Sequence, residues 1–315
     1  MENQEKSKKL VSIIAVAFNE EACIEELSRR IIDLINSEMG YRWEIVLVDN
    51  GSIDNTWNHI LIECKKDRRF KGIRLSRNFQ MDGGLLAGLD MISSEACVLM
   101  AADLQDPPEV ISKFLRKWEE GSENVYAQIV SRKHSSWLRR INSVIFYTLA
   151  GFLSGGVIKR NVSDFRLVDK KVYSVVREMQ ERNRFLRGLF SWVGFDSTSV
   201  TLDRPARYGG KSQAHTSKVI SLALRGLLAH SYIPLRIISF FGFMMAFLSI
   251  AALAVLTLAW IYWGVPFQGF GTLAALILVN FAFISFMIGV IGEYIALIYE
   301  ESKNRPNFIV REKTW

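Results

Sequence analysis

The stretch Leu99-Met-Ala-Ala-Asp-Leu-Gln-Asp-Pro-Pro-Glu109 decides how this chain folds. The apolar run Ala96–Met100 leads into its acidic residues and predicts a buried strand. Carboxylates that follow a parallel strand lie where open α/β sheets bind ligands, and their oxygens can hold a divalent cation. The alternative interpretation is a plain acidic turn before a helix that the two prolines start.

Strand-like and helix-like segments alternate on both sides of this stretch. Such alternation predicts right-handed βαβ units and a mainly parallel sheet. Helices are predicted from about Glu21 to Ser37, from Asp54 to about Lys65, from near Gly83 and over about Lys170–Arg187. The predicted strands are Val11–Ala17, Trp43–Val48, Gly72–Leu75, Ala96–Met100, Val125–Val130 and Ser197–Leu202.

Polar residues follow three of these strands directly. Asn19-Glu20 ends the first strand, Asp49 the second, and Asp103 follows the fourth. Because the carboxyl ends of parallel strands meet at one edge, these residues should face one crevice that accepts a nucleotide. The chain has neither a Walker-type phosphate loop nor a dinucleotide fingerprint after the first strand. A metal ion and side chains must therefore neutralise the charge of a bound diphosphate.

Composition divides the chain into a mixed part and an apolar part. Half of the 315 residues are hydrophobic, and the excess is concentrated after Leu235. A net charge of +7 fits nucleic acid or an anionic membrane surface, and the apolar part favours the membrane. The three cysteines lack paired spacing and no signal peptide is evident, which favours a reducing cytosol. The four histidines lack the spacing of zinc ligands.

The apolar part predicts two membrane helices, at about 237–263 and 270–298. Each run exceeds the roughly 20 residues that cross a bilayer, although a buried hairpin of a soluble protein is the alternative. Basic residues flank the pair and are absent from its connection, so both termini should be cytoplasmic. An amphipathic helix over 214–235 should lie on the bilayer, the alternative being a surface helix packed on the domain. The predicted domains are 1–213, 214–235, 236–299 and a cytoplasmic tail, 300–315.

Eight stretches of the chain are informative together: Val16–Glu20, Val48–Ser52, Ser76–Gln80, Ala102–Glu109, Asp164–Leu167, Tyr208–Ser212, Gly292–Ile295 and Asn304–Pro306. In this order they resemble one family, the membrane-bound polyprenyl-phosphate glycosyltransferases of family 2. Among them the chain is most similar to the bactoprenol glucosyltransferases, and it is related to the dolichyl-phosphate mannose synthases. The resemblance implies a GT-A fold ahead of interface helices and a two-helix transmembrane hairpin.

The resemblance also implies roles for individual residues. The sugar nucleotide would be bound by Phe18, Asn19, Glu20, Asp49, Gln80 and Asp103, and Mg²⁺ or Mn²⁺ by Asp103 and Gln105. The acceptor phosphate would be gripped by Arg132, Arg139 and Ser143, with Arg207 on a loop that closes over the site. One departure matters most, because Ala101 stands where the family has the first Asp of its Asp-x-Asp motif.

The implied reaction transfers one sugar, glucose from UDP-glucose by subgroup similarity, to polyprenyl phosphate at the cytoplasmic face of the inner membrane. GDP-mannose and other UDP-sugars stay open as donors. Loss of catalysis, marked by Ala101, would leave a membrane-anchored protein that binds sugar nucleotide or lipid. A processive polysaccharide synthase is a third alternative, but the chain lacks the extra membrane helices and the Gln-x-x-Arg-Trp motif of that class. Polar groups within the spans are compatible with a homo-oligomer, and no nucleic acid partner is expected.

We expect Arg139→Ala to impair mainly the use of the lipid acceptor, because a guanidinium fork matches a phosphate with two aligned hydrogen bonds. Steady-state kinetics with varied acceptor and a separate measurement of nucleotide binding test this. An equal loss of nucleotide binding would argue against the assignment.

Overall fold

The computed structural model describes residues 8–131, 162–179, 181, 184–205, scattered positions between 240 and 263, and 269–315. These residues form two compact units, one with the described residues of 8–205 and 305–315, the other with those of 240–304. The amphipathic helix predicted over 214–235 lies outside the described residues. So do four of the predicted site residues, namely Arg132, Arg139, Ser143 and Arg207.

The first unit is built on one eight-stranded sheet with the order β7-β5-β6-β4-β1-β2-β3-β8. Two strands, β6 and β8, run antiparallel to their neighbours, and every other pairing is parallel. The prediction of an α/β fold with a mainly parallel sheet is therefore confirmed. The strands are β1 (Leu10–Ala17), β2 (Arg42–Asp49), β3 (Phe70–Leu75), β4 (Ala96–Ala101), β5 (Asn124–Ser131), β6 (Val162–Asp169), β7 (Ser197–Asp203) and β8 (Val310–Lys313).

Helices cover both faces of the sheet and enclose two apolar cores. Successive side chains of a strand point to opposite faces, so Ile13 of β1 enters one core and Ile14 the other. Burial of β1 on both faces explains why its sequence is a continuous apolar run. The helices of this unit are α1 (Ile24–Ser37), α2 (Thr56–Lys66), α3 (Gln80–Asp90), α4 (Ile111–Glu119), α5 (Lys170–Glu178) and α6 (Leu186–Trp192), with a 3₁₀ turn at Pro108–Val110.

The helix predicted over Lys170–Arg187 is wrong, because the structure has two helices there. The backbone at Met179 is extended, with φ −61° and ψ 132°, and α6 begins only at Leu186. The buried face of α5 ends at Val176, and the residues that follow it as far as Arg184 are polar apart from Met179. Without apolar residues at helical spacing, nothing holds a continuous helix against the sheet.

The sequence prediction missed strands β6 and β8. Strand β6 is buried between β4 and β5, but polar residues interrupt it, including the fully buried Arg166. Strand β8 carries one apolar residue, Val310, and covers the edge of the sheet at β3. The predicted domain scheme separates 300–315 from the domain over 1–213, whereas the structure places β8 in the sheet of that domain.

Helix α7 (Phe270–Ser302) belongs to the second unit. It is the one helix of the described residues that is long and apolar enough to cross a membrane. Its segment Val279–Ala296 has a mean hydropathy of 1.7 and is not buried by protein. Within this helix the Asn280 amide donates to the carbonyl oxygen of Leu276 at 3.0 Å, so the helix itself satisfies one donor. The described residues between 240 and 263 are helical, and the predicted two-helix hairpin stays a prediction.

Because α3 packs closely on β1, a methyl group added at Gly84 should lower the stability of the fold. A Cβ on Gly84 would lie 2.6 Å from Cγ1 of Val16. Gly84→Ala gains about 0.5–1 kcal/mol of helix propensity but should lose about 1–3 kcal/mol by overpacking, so the melting temperature should fall. Gly40→Ala is the matched control, because no atom lies within 4 Å of its Cβ position. Equal melting temperatures for the two variants would contradict the close contact.

Candidate functional site

Parallel pairing of β1 with β2 and β4 brings the predicted site residues to one edge of the sheet. Ala17 is in register with Asp49, and Val16 with Ala101. Two hydrogen bonds extend this alignment beyond the strands, from Asn50 N to Ala17 O at 2.8 Å and from Ala102 N to Val16 O at 3.0 Å. The loops that carry Asn19, Asp49 and Asp103 therefore leave the sheet side by side. We call this edge the donor rim, after the sugar donor that the sequence resemblance leads us to expect there.

Asp49 is buried completely at the end of β2. Its Oδ1 accepts a hydrogen bond from Ser52 N at 2.9 Å, which holds the following turn. Its Oδ2 has no hydrogen-bond donor in the described structure, although Arg74 Nε lies 3.3 Å away as a charge partner. A buried carboxylate oxygen without a hydrogen bond is costly unless a ligand supplies one.

The turn after β1 is locked onto the turn after β2. Asn19 N donates to Ser52 Oγ at 2.9 Å, and Asn19 Oδ1 accepts from Ile53 N at 3.0 Å. Glu20 N donates to Thr56 Oγ1 at 2.9 Å, at the start of α2. Phe18, Asn19 and Glu20 are partly exposed at this position, so part of each residue remains accessible to a ligand.

Asp103 lies after β4 with only 6% of its surface exposed. Its Oδ1 accepts a hydrogen bond from Gln105 N at 3.1 Å, which closes a tight turn around Leu104. Leu104 has a φ of +60° and is buried. A left-handed leucine is strained and persists only where the surrounding structure enforces it, which is typical of functional sites. The turn places Asp103 and Gln105 at the same rim.

Strained backbone is concentrated at the donor rim. Among the described residues, the non-glycine positions with positive φ are Asn19, Gln80, Leu104 and Asn304. Three of these four belong to the turns after β1, β3 and β4. The observed strain therefore marks the edge that the sequence predicted as the ligand site.

Gln80 is held at the rim through its backbone. The Asn50 side-chain amide donates to Gln80 O at 2.7 Å, and Asn50 Oδ1 accepts from Phe79 N at 2.9 Å. Gln80 N donates to Asn78 Oδ1 at 2.7 Å. We call Ser76–Gln80 the donor loop. Gly51 must be glycine beside this loop, because its φ is +74° and a Cβ would lie 2.8 Å from Asn78 N.

Asp106 is a residue of this site to which the sequence analysis assigned no role. It is buried, and its Oδ2 accepts a hydrogen bond from Ala101 N at 3.1 Å. Its Oδ1 lies 3.3 Å from Arg204 Nη2, which follows β7. Burial raises the pKa of Asp106 to about 6 although Arg204 lowers it. Asp106 therefore links the turn after β4 to Arg204, which lies three residues before Arg207 in the sequence.

At the start of α3 lies a partly buried ionic network that the sequence did not reveal. Arg187 Nε contacts Asp164 Oδ1 at 2.7 Å, and Leu186 N donates to Asp82 Oδ1 at 3.3 Å. Burial and the neighbouring Asp164 carboxylate raise the pKa of Asp82 to about 7. Burial lowers the pKa of Arg166 to about 10, and its guanidinium stacks on Phe190 at 4.8 Å.

The described donor set for a metal is small. No group of three or more His, Cys, Asp or Glu side chains that could hold a metal occurs among the described residues. The candidate ligands are the carboxylate of Asp103 and the side-chain amide of Gln105, in the turn after β4. Magnesium is commonly bound through one or two carboxylates, substrate phosphates and water, so this set fits a cation that a diphosphate helps to hold.

Comparisons with known proteins agree with this architecture. The model of "Glycosyl transferase family 2" matches residues 12–177. An uncharacterized glycosyltransferase of Synechocystis sp. is 36% identical over 303 residues, 96% of this chain and 95% of that protein. The bactoprenol glucosyl transferase of Shigella phage SfV is 34% identical over 303 residues, 96% of this chain and 98% of that protein. A solved structure of a mycobacterial protein shares the fold, with a TM-score of 0.50 at 16% identity over 73% of this chain and 77% of that chain.

The chain therefore belongs to glycosyltransferase family 2. It is a glycosyltransferase with a GT-A-like α/β fold and a mostly parallel sheet. The resemblance inferred from the sequence motifs is thereby confirmed at the level of the family.

The pKa of Asp82 predicts a pH-dependent stability. The carboxyl group has a pKa of about 7 in the folded chain and about 3.9 when unfolded, so the folded state binds the extra proton in between. The free energy of unfolding should therefore fall as the pH rises from about 4 to 7, by up to roughly 4 kcal/mol. Asp82→Asn should flatten this part of the profile.

Thermal unfolding of the full chain at several pH values measures the effect. Asp33→Asn is the control, because Asp33 is exposed on α1 and its ion pair with Arg29, at 2.9 Å, lies on the helix surface. An unchanged pH profile in Asp82→Asn would show that another group carries the dependence.

Proposed function

We propose that the chain transfers one sugar, glucose from UDP-glucose, to polyprenyl phosphate and produces a lipid-linked monosaccharide. The buried Asp49 oxygen without a hydrogen bond, at the rim of a family 2 domain, carries the proposal of a nucleotide site. The lipid acceptor and the glucose rest on similarity to proteins named bactoprenol glucosyl transferase. Undecaprenyl phosphate is the polyprenyl carrier we expect.

The donor base would lie against Asp49 and Arg74. A carboxylate oxygen accepts a hydrogen bond from a ring N–H, while a guanidinium donates to a carbonyl oxygen. Uracil and guanine both offer an N–H beside a carbonyl, whereas adenine and cytosine lack that ring N–H. The pair therefore favours UDP- or GDP-sugars, and glucose from UDP-glucose follows from the relatives' names rather than from this geometry. A polyprenyl-phosphate mannosyltransferase that uses GDP-mannose is the neighbouring alternative.

Asp103 and Gln105 would hold Mg²⁺ or Mn²⁺ with the donor diphosphate and water. When bound, the cation neutralises the charge that develops on the leaving diphosphate. Asp103 is held for this role by its hydrogen bond from Gln105 N and by the strained turn at Leu104. Ala101 supplies no oxygen from its side chain, so the diphosphate would provide more of the coordination than in relatives that have an acidic residue there.

The acceptor phosphate can attack without a strong general base. Its second pKa is about 6, so it is mostly a dianion at neutral pH. One phosphate oxygen forms a bond to the anomeric carbon while the bond from that carbon to the diphosphate oxygen breaks, and a nucleoside diphosphate leaves. In-line attack inverts the anomeric configuration. Arg132, Arg139 and Ser143 remain the proposed ligands of the acceptor phosphate, and Arg207 is proposed to lie on a loop that closes over the site.

Localisation follows from the lipid substrate and from α7. We propose that the chain is a multi-pass protein of the inner membrane, with the catalytic domain and both termini in the cytoplasm. Helix α7 is about 50 Å long at 1.5 Å per residue, more than a bilayer core of about 30 Å requires. A homo-oligomer is part of this proposal, because polar side chains within membrane spans favour protein neighbours over lipid.

A second candidate function is a membrane-anchored protein that binds sugar nucleotide or lipid without turnover. The observation that favours it is Ala101, at the position of a family carboxylate, together with the small metal donor set of the described residues. A transfer assay with radiolabelled sugar nucleotides, polyprenyl phosphate and Mg²⁺ or Mn²⁺ separates the two. A lipid-linked single sugar supports the transferase, and nucleotide binding without product supports the second candidate.

Asp103→Ala should abolish transfer in this assay, a loss of at least about 10²-fold, because it removes the one carboxylate proposed to position the cation at the diphosphate. Asp196→Ala is the matched control, since Asp196 is exposed between α6 and β7. Unchanged activity of Asp103→Ala would remove Asp103 from the metal role. Equal loss in both variants would point to a general defect instead.

A further inference from the structure

The chain after α7 returns to the sheet of the catalytic unit. We call residues 305–315 the tail segment. Its strand β8 pairs antiparallel with β3, and Ser76 N donates to Ile309 O at 2.9 Å. At the other end of the pairing, Gly72 N donates to Thr314 Oγ1 at 2.9 Å and Thr314 N donates to Gly72 O at 3.1 Å. Both ends of β3 are thus bonded to the tail segment.

Side chains of the tail segment pack beside the donor loop. Phe308 and Val310 are partly buried against the apolar core that contains Leu85, and Phe79 of the donor loop packs against the same core. The carbonyl oxygen of Asn307 lies 3.1 Å from the position of a Cβ on Gly83, so the tail crosses the first turn of α3 at close range.

The donor loop is therefore held from two sides. Ser76, the first residue of the loop, donates its N–H to Ile309 O of the tail segment, and Phe79 packs against the same apolar core as Phe308. Asn50 binds the backbone of Phe79 and Gln80 from the opposite side. Gln80 has a φ of +63°, a conformation that needs such support.

The pairing of β8 with β3 also restrains a strand that contributes to the proposed nucleotide site. Glu312 is in register with Arg74, whose Nε lies 3.3 Å from Asp49 Oδ2. Without β8, β3 would be the edge strand of the sheet, and edge strands are less restrained than paired ones. The tail segment thus restrains both the strand of Arg74 and the loop of Gln80.

We infer that the tail segment is a positioning element for the sugar nucleotide, with Phe308 as its anchor. The inference rests on the proposed function, because it assigns a part to the tail in binding the same donor. If the tail segment detaches from the sheet, the donor loop is less ordered in the free protein and must become ordered when the nucleotide binds. The affinity for the nucleotide then falls, while the acceptor site and the chemical step are affected less.

Full-length chain in detergent tests the inference with Phe308→Ala. The dissociation constant for UDP and the KM for the sugar nucleotide should rise about tenfold, since ordering of a loop opposes binding. The KM for polyprenyl phosphate and kcat should stay within about twofold, and amide hydrogen exchange over 76–82 should become faster. Phe308→Leu should restore both readouts. Lys313→Ala is the matched control, because Lys313 is exposed on β8 of the same tail segment.

The outcomes are distinguishable. Parent chain that binds neither UDP nor GDP removes the proposed function and this inference with it. Normal UDP binding in the parent with unchanged affinity and exchange in Phe308→Ala overturns the inference alone. A parallel rise of donor and acceptor KM, or an equal defect in Lys313→Ala, would reduce the tail to a purely structural role. Asn307→Ala, which removes the amide contact to Glu181 O at 3.3 Å, provides a milder variant if Phe308→Ala does not fold.

Discussion

The register of β1 between β2 and β4 is the constraint on which the donor rim depends. Ala17 stands opposite Asp49, and Val16 stands opposite Ala101. A shift of one residue in either pairing would turn every side chain of β1 to the other face of the sheet. Burial of β1 between two apolar cores makes such a shift costly, and it thereby fixes where the loops of Asn19, Asp49 and Asp103 leave the sheet.

The rim is stabilised mainly by bonds between loops rather than by bonds within them. Asn19 binds the turn after β2, and Asn50 of that turn binds the donor loop after β3. Gly51 permits this approach because it has no Cβ. Such reciprocal bonds hold strained residues such as Gln80 in place before a ligand arrives, and a preorganised site loses less entropy on binding.

Charge at the site is balanced by arginines from distant parts of the chain. Arg74 faces Asp49, Arg204 faces Asp106, and Arg187 faces Asp164. Each carboxylate is largely buried, and an ionised group in that environment is destabilising unless a partner lies close. The turn around Asp103 holds two acidic residues close to the proposed site of the diphosphate. Their negative charge is compatible with that ligand only where a cation and the arginines offset it.

The sequence by itself determined the α/β class, the parallel strands and the edge at which Asn19, Asp49 and Asp103 lie. These features follow from local patterns, since apolar runs, caps and prolines act within a few residues. The tertiary structure decided what local patterns do not encode, including β6 with its buried Arg166, the break at Met179, the pairing of β8 with β3 and the arginine partners of Asp49 and Asp106. Each of these depends on groups that are distant in sequence, and their contacts exist only once the sheet has assembled around them.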